Sequence, residues 1–376
     1  MSDSTAADCP SPCNVLLIGN GGREHALAWA LRKSPNLGEL WIANRGNAGL
    51  DALGRICPEA MDLKNAFRMQ RWCDTNEIHL VVVGPEAPLA AGMADVLASP
   101  ERRVFGPTRD GARIESDKAY AKQLMRTASI PTADARVFTD PSAARLYVET
   151  RDEPCVIKAS GLCAGKGVMV CSTLEESLEA IDRLMVRADF GDAGRTVIVE
   201  ERLSGPEVSV LALVDGRTIW ILDPCQDHKR VGEGDTGPNT GGMGAYSPAP
   251  VVTDTVYGRI MSEVILPTVR GMAAEGLPYT GFLYAGLMIT PDGAPRVIEY
   301  NCRFGDPETQ PIMMRLQSDL VALCNDALDG RLDQSRAEWD TRSSIGVVLA
   351  AGGYPGSYGK GAVIHGLDAV AGDDPK

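Results

Sequence analysis

The residues able to do chemistry gather in a few stretches, most of them rich in glycine. Residues 19–25 read GNGGREH, between an apolar run, VLLIG, and a helix-forming run. Bare glycines at a strand-to-helix turn let a phosphate approach the backbone. The helix start adds amide donors and positive potential. Gly22 lies in this turn, and Arg23 brings a guanidinium able to grip phosphate at two points. The full dinucleotide fingerprint is absent, because counting from Gly19 puts Glu24 where the third glycine belongs. No acidic residue closes the second strand, LWIA, where a ribose would be held. The turn suits a mononucleotide or a sugar phosphate better than NAD. Farther on, Lys158 closes an apolar strand, and SGLCAGKG turns back into another strand. A P-loop needs strand, loop, helix and a GK[ST] ending. Here Lys166 is followed by Gly167 and a strand, so the expectation is a mobile glycine-rich flap over nucleotide phosphates, starting near Gly161. Residues 226–248, QDHKRVGEGDTGPNTGGMGAYSP, crowd Asp227, His228, Lys229, Arg230, Asp235 and Asn239 among glycines. A long segment without secondary structure of its own is usually functional or disordered, and this one is expected to be a substrate loop. In VIEYNCRFGDPETQP (297–311), the two-residue period of a strand puts Glu299 and Asn301 on one face, with Arg303 continuing it. A carboxylate and an amide oxygen suit Mg²⁺ shared with ATP phosphates, since that ion keeps waters and takes few protein groups. Arg303 could reach phosphate.

The elements that must hold these residues change character along the chain. Short apolar strands at 15–19, 40–43, 79–84 and 104–107 alternate with helices near 24–33 and 63–75. That is a doubly wound α/β pattern with a parallel sheet. A helix near 117–128, capped by Ser116 or Asp117, follows. Then come antiparallel strands at 155–158, 167–171, 196–201, 207–215 and 218–225, with a turn at Asp215-Gly216. A helix at 253–274 precedes two more strands joined by Pro291-Asp292-Gly293. This second part is α+β, so a boundary is expected near 108–116.

Composition narrows the class. The chain has 376 residues, 44% hydrophobic and 23% charged, as in globular proteins of two or three domains. A net charge of −13 argues against nonspecific binding to nucleic acid or to an anionic membrane. No apolar run approaches the roughly 18 residues of a membrane span. The opening residues, 1–14, lack the basic and apolar regions of a secretory signal and read as a disordered tail. The 10 cysteines form no CxxC pair and the 4 histidines are dispersed, so reduced cytoplasmic thiols are expected and a zinc site is not.

Taken in order, VLLIGNGGREHALAWAL, VVVGPEAPL, VIKASGLCAGKGV, QDHKRVGEGDTGPNTGGMGAYSPAP, TGFLYAGLMI and VIEYNCRFGDPETQP resemble the phosphoribosylamine–glycine ligases of the ATP-grasp superfamily, from Val15 to about Leu367. The resemblance implies a Rossmann-like phosphoribosylamine-binding domain over 15–115 and an ATP-grasp domain over 116–340, whose lid spans about 131–205. Residues 341–376 would begin a small C-terminal subdomain. It implies a purine-biosynthesis ligase that converts ATP, glycine and 5-phosphoribosylamine to glycinamide ribonucleotide, ADP and phosphate through glycyl phosphate, with Mg²⁺ or Mn²⁺. By position, Lys118 and Lys158 would contact ATP phosphates under the flap of Gly161, Lys166 and Gly167. Glu200, Glu201 and Leu203 would form the adenine hinge, and Glu207 would hold the ribose. Glu299 and Asn301 would hold the metal. Arg303 would steady the acyl phosphate, and with Lys158 and Asp227 it makes up the implied catalytic set. Gly242 and Met243 would lie where the two substrates meet. Gly22, Arg23, Glu24, Asn47, Pro85 and Glu86 would line the phosphoribosylamine site. Cys163 stands where the family usually carries a small residue. The protein is expected to be a cytoplasmic monomer without nucleic-acid or membrane partners. The alternatives are another ATP-grasp carboxylate–amine ligase, an NAD-dependent oxidoreductase built on the N-terminal half, and a noncatalytic nucleotide-binding regulator.

Overall fold

The computed structural model describes residues 10–43, 46–59, 61–151, 153–163 and 165–370, and the side chains of 368 and 370 are left aside. Most of the expected 1–14 tail and Ala164 of the flap fall outside the described residues.

The N-terminal strands are β1 (Cys13–Ile18), β2 (Leu37–Ala43), β3 (Arg55–Ile56), β4 (Leu80–Val83) and β5 (Arg103–Phe105). They form a parallel sheet in the order β3-β2-β1-β4-β5. β1 starts two residues before the expected strand. Its first amides already have partners, Cys13 N donating to the Asn36 carbonyl at 2.7 Å and Asn14 N to His79 Nδ1 at 3.0 Å. The strand period of two divides the sheet's side chains between two cores. Leu16, Ile18, Val81 and Val83 enter one, while Val15, Leu17, Leu80 and Val82 enter the other.

The next sheet is antiparallel and has its own small core. Its strands are β6 (Ala135–Phe138), β7 (Cys155–Ala159), β8 (Val168–Cys171) and β9 (Val197–Glu201), in the order β6-β9-β7-β8. Ile157, Ala159, Leu184, Val197 and Val199 are buried between this sheet and its helices. β10 (Glu207–Asp215) follows, and β11 (Ile219–Ile221) is shorter than the expected 218–225, with Pro224 unable to donate to a ladder.

The segment 226–248, expected as an unstructured loop, is instead folded into four short strands. They are β12 (Gln226–Asp227), β13 (Arg230–Gly232), β14 (Thr236–Asn239) and β15 (Gly244–Ser247). β13 and β14 form a hairpin, and β15 lies between β12 and β18 (Ser344–Val347). Gly242 is required here: φ is +116°, and a Cβ would collide with the Pro307 ring. β16 (Thr280–Ile289) and β17 (Pro295–Asn301) complete the central antiparallel sheet, ordered β11-β10-β16-β17. The helix expected at 253–274 is continuous over 254–274, with a π-helical turn at Ile260–Ile265. Ile260, Val264, Val269 and Met272 bury its inner face against the same core as Leu283 and Ala285.

Three rings join the parallel sheet to the central sheet. Phe105 of β5 packs on Phe282 of β16 at 4.9 Å, and Phe282 on Phe304 at 3.9 Å. The Phe304 carbonyl also accepts bonds from Arg23 and Arg303. Phe304→Ala is expected to cost about 3–5 kcal/mol. The check is the urea midpoint of the purified variant against the parent; an unchanged midpoint would show that this contact contributes little.

Candidate active site

A cavity of about 440 Å³ opens between the β6–β9 sheet and the central sheet. Lys118, Lys158, Glu200, Glu201, Leu203, Glu207, Asp227, Glu299, Asn301, Arg303 and Glu86 all line it. Residues spread over more than two hundred positions of sequence therefore converge on one cleft.

Lys158 crosses that cleft. It projects from β7, and its ammonium donates to the Ile298 carbonyl of β17 at 2.9 Å and meets Glu200 Oε2 at 2.9 Å. The other Glu200 oxygen meets Lys122 Nζ at 3.1 Å. Lys122 lies one turn after Lys118 on the helix Lys118–Thr127, on the same face. Burial pulls its pKa down, with Glu200 opposing that shift. Lys118 is pinned to the root of the flap: its backbone N–H donates to the Ser160 carbonyl at 2.9 Å and its ammonium to the Gly161 carbonyl at 3.3 Å. Asp117 caps the helix at Tyr120 N and accepts from Ser160 Oγ at 2.9 Å. Of the flap residues, Leu162, Cys163 and Gly165 line the cavity, whereas Gly161, Lys166 and Gly167 stand outside its lining.

The floor carries the opposite charge. Lys229 Nζ lies 3.5 Å from Glu299 and 3.5 Å from Glu207. Burial would raise the Glu299 pKa, but Lys229 and Lys158 beside it hold it below the usual carboxylate range. Burial would likewise lower Lys229, and Glu299 more than reverses this, keeping the ammonium protonated. With its amide turned so that the nitrogen faces the acceptors around it, Asn301 donates to Glu115 Oε1 at 2.9 Å and to the Tyr300 carbonyl at 3.2 Å, and its oxygen is then the atom left for a cation. Among the described residues, no three His, Cys, Asp or Glu side chains cluster to hold a metal unaided. A carboxylate and one amide oxygen fit Mg²⁺ only when phosphates and water complete the shell, as expected for a metal arriving with ATP.

Arg303 lies past the end of β17, so two carboxylates rather than the strand aim it. Its guanidinium meets Glu115 at 2.7 Å and Glu86 at 3.1 Å. Glu115 in turn accepts the Cys302 N–H at 2.7 Å. Burial pushes the Glu115 pKa up. For Glu86 burial acts in the same direction, but Arg303 outweighs it and the pKa falls.

Asp227 is left partly unsatisfied. Among the described residues, its buried Oδ1 has no hydrogen-bond partner. Burial and the neighbouring Glu308 push its pKa up to about 8. Glu308 accepts from Ser209 Oγ at 2.9 Å, and Ser209 Oγ lies 2.9 Å from Tyr284 Oη.

The remaining expected substrate residues cluster beside the cavity rather than lining it. Arg23 does not extend toward a ligand. Its buried guanidinium meets Glu24 at 2.6 Å and the Phe304 carbonyl at 3.1 Å. Glu24 also accepts the Gly21 N–H at 2.7 Å. Asn47 caps the helix Ala48–Leu53 and donates to the Asn20 and Gly21 carbonyls at 3.1 and 3.2 Å. Pro85 begins the helix Glu86–Ala91, and a Cβ at Gly22 would press on Gln310. Met243 N donates to the His228 carbonyl at 2.7 Å, beside Gly242. Sequence reasoning missed Lys122, Glu115, Glu308 and the role of Lys229. Only Lys122 left a signal, the four-residue spacing from Lys118.

Two antiparallel sheets closing on a lysine-lined cleft, with an acid, an amide and an arginine on its floor, define an ATP-grasp enzyme. The chain belongs to the phosphoribosylglycinamide synthetase family: the family's N domain matches residues 13–115 and its ATP-grasp (A) domain residues 116–309. It is 53% identical over 357 residues to the phosphoribosylamine–glycine ligase of Vibrio vulnificus (strain YJ016), covering 95% of this chain and 83% of the relative. The Salmonella typhi enzyme of the same name is 53% identical over 353 residues, covering 94% and 82%. The crystal structure of the Thermotoga maritima phosphoribosylamine–glycine ligase superposes with a TM-score of 0.76 at 34% identity, covering 93% of this chain and 83% of that one. A biotin carboxylase from Campylobacter jejuni shares the fold alone, at 15% identity and a TM-score of 0.68, covering 88% of this chain and 74% of that one. Family membership sets aside the oxidoreductase and noncatalytic alternatives.

The Asp227 environment has a consequence for stability. The folded state keeps this proton up to about pH 8, whereas an unstrained Asp loses it near 3.8. Between those values the folded protein binds the extra proton, so this residue's contribution falls as pH rises and levels off above pH 8. Asp227→Asn cannot ionise and removes the decline. Its melting temperature in the absence of ligand should exceed the parent's by a margin that grows from pH 4 to 8. A margin independent of pH, read by scanning fluorimetry, would contradict the assignment.

Proposed function

We propose that the chain joins glycine to 5-phosphoribosylamine with ATP as co-substrate, giving glycinamide ribonucleotide, ADP and phosphate in purine biosynthesis. The observation that carries this reading is the convergence of Lys158, Glu299 and Arg303 on one cleft in a chain of this family.

A glycine carboxylate is a poor acyl donor because its oxygen leaves badly. Attack of that oxygen on the ATP γ-phosphorus, with ADP departing, makes glycyl phosphate. The amine of phosphoribosylamine then attacks the acyl carbon, and phosphate leaves. Such transfers need positioning and charge neutralisation more than covalent help. Lys118 and Lys158 take the phosphates, with Glu200 orienting Lys158. The flap of Gly161, Lys166 and Gly167 covers them, Glu200, Glu201 and Leu203 flank adenine, and Glu207 takes the ribose hydroxyls. Glu299 and Asn301 would hold the divalent cation, Mg²⁺ or Mn²⁺, which when bound neutralises phosphate charge. Arg303 steadies the acyl phosphate. Asp227 sits where glycine meets the attacking amine, and only its ionised fraction, which grows as pH approaches about 8, can receive the proton the amine loses. Gly242 and Met243 border this junction.

Gly22, Arg23, Glu24, Asn47, Pro85 and Glu86 form the phosphoribosylamine side of the site. In this reading 15–115 binds the sugar phosphate, 116–340 is the ATP-grasp unit with its lid at about 131–205, and 341–376 begins a third unit. Among the described residues no helix is long and apolar enough to cross a membrane. We place the protein in the cytoplasm as a monomer, with no nucleic-acid partner.

ADP release should require glycine, freshly generated phosphoribosylamine and Mg²⁺ together. Release indifferent to glycine would point to a different carboxylate substrate. Glu299→Ala should lower turnover at least about a hundredfold while ADP affinity, read by calorimetry, falls far less. Parent-like turnover in that variant would remove Glu299 from the metal site.

A further inference from the structure

The lid sheet holds a pair of thiols that the ligase chemistry leaves unused. Cys155 opens β7 and Cys171 closes β8, and the two are direct partners in the antiparallel register. Directly opposed residues share one face of a sheet, and both side chains enter the lid core. The Ala159 N–H donates to the Gly167 carbonyl at 2.8 Å. Stepping back along the alternating ladder from that pair makes Cys155–Cys171 a hydrogen-bonded pair, with Cα atoms about 5.5 Å apart. That separation lies within the range of roughly 4.4–6.8 Å that a disulfide spans. Ser177 Oγ lies 3.3 Å from Cys155 Sγ, and Cys171 Sγ donates to the Met169 carbonyl at 3.6 Å.

Cys155 also has a route to solvent and a nearby cation. It lines a small surface cavity of about 20 Å³ together with Tyr147, Arg151, Glu153 and Glu201. Accessibility and a nearby guanidinium favour thiol reactivity, here alongside the carboxylates of Glu153, Glu200 and Glu201. The neighbouring Cys171 and Ser177, with Arg151 nearby, lower the Cys155 pKa to about 6 against the pull of burial, while the Cys155 thiolate and burial raise that of Cys171. The contrast within the same chain is Cys57 and Cys73, both pushed up to about 11 by burial.

We propose that Cys155 and Cys171 are a reversible dithiol–disulfide site, oxidised by a small-molecule disulfide of the glutathione class. The Cys155 thiolate attacks one sulfur of the reagent, whose S–S bond breaks and releases one thiolate. Cys171 gives its proton to water, and its thiolate attacks Cys155 Sγ, displacing the second thiolate. Two protein thiols are oxidised and one disulfide is reduced to two thiols. The new bond closes the segment 155–171, which contains Lys158 and the whole glycine-rich flap, and so staples the flap at its root.

The test treats the folded chain with oxidised glutathione near pH 7.5, traps free thiols with N-ethylmaleimide, and maps peptides by mass spectrometry. The expected product is a Cys155–Cys171 cross-link, reversed by dithiothreitol, forming at least about tenfold faster than any modification of Cys57 or Cys73. Cys171→Ser should stop at a mixed disulfide on Cys155, and Cys155→Ser should leave Cys171 unmodified. Should either variant fail to fold, the map of the parent chain decides. Both cysteines remaining alkylatable, a glutathione adduct on Cys155 that never closes, or cross-links scattered among other cysteines would each overturn the proposal. None of these readouts depends on the ligase reaction, so the two proposals stand or fall separately.

Discussion

One buried carboxylate between two ammonium groups organises the cleft. Glu200 is 4% exposed and pairs with Lys122 and Lys158. Removing one partner of a buried pair typically costs about 3–5 kcal/mol, because the remaining charge is left uncompensated. The arrangement therefore fixes three elements against one another: the helix that starts at Lys118, β7 and β9. Lys158 extends the tie to a fourth, since the same ammonium reaches the Ile298 carbonyl on β17. The lid is thus joined to the central sheet by the side chain that nucleotide phosphate would engage.

The Arg303 clamp does the same for the parallel sheet. Glu86 begins the helix that follows β4, and Glu115 lies in the segment leading to the ATP-grasp part of the chain. Both carboxylates close on one guanidinium, next to the Phe282 and Phe304 rings, which pack at a tilt of 47°. The parallel-sheet part and the central sheet therefore share a charged clamp over an apolar seam. A ligand that draws on Arg303 changes the balance of Glu86 and Glu115 at once.

Much of this was legible in the chain itself, for identifiable reasons. The parallel sheet announces itself because strands such as LVVV are covered on both faces and must be apolar throughout. Glu299 and Asn301 were legible because a strand's two-residue period is local. Partnerships formed across long separations were not. Nothing near Arg303 in sequence names Glu86 or Glu115, and nothing near Lys158 names Lys122. The glycine-rich 226–248 segment read as a loop because one strand that orders it, β18, lies about a hundred residues later. Arg23 is a further case: its type and position suggest a ligand contact, and nothing near it in sequence names the Phe304 carbonyl that it also meets.

The central claim is that this cleft makes a carboxylate reactive by giving it a phosphoryl group. Glycine labelled with ¹⁸O in both carboxylate oxygens tests it most directly. If the acid is phosphorylated and then attacked by the amine, one labelled oxygen per turnover must leave in inorganic phosphate and the other must remain in the amide. Phosphate carrying that single label is the expected result. Unlabelled phosphate formed alongside the amide would contradict the account.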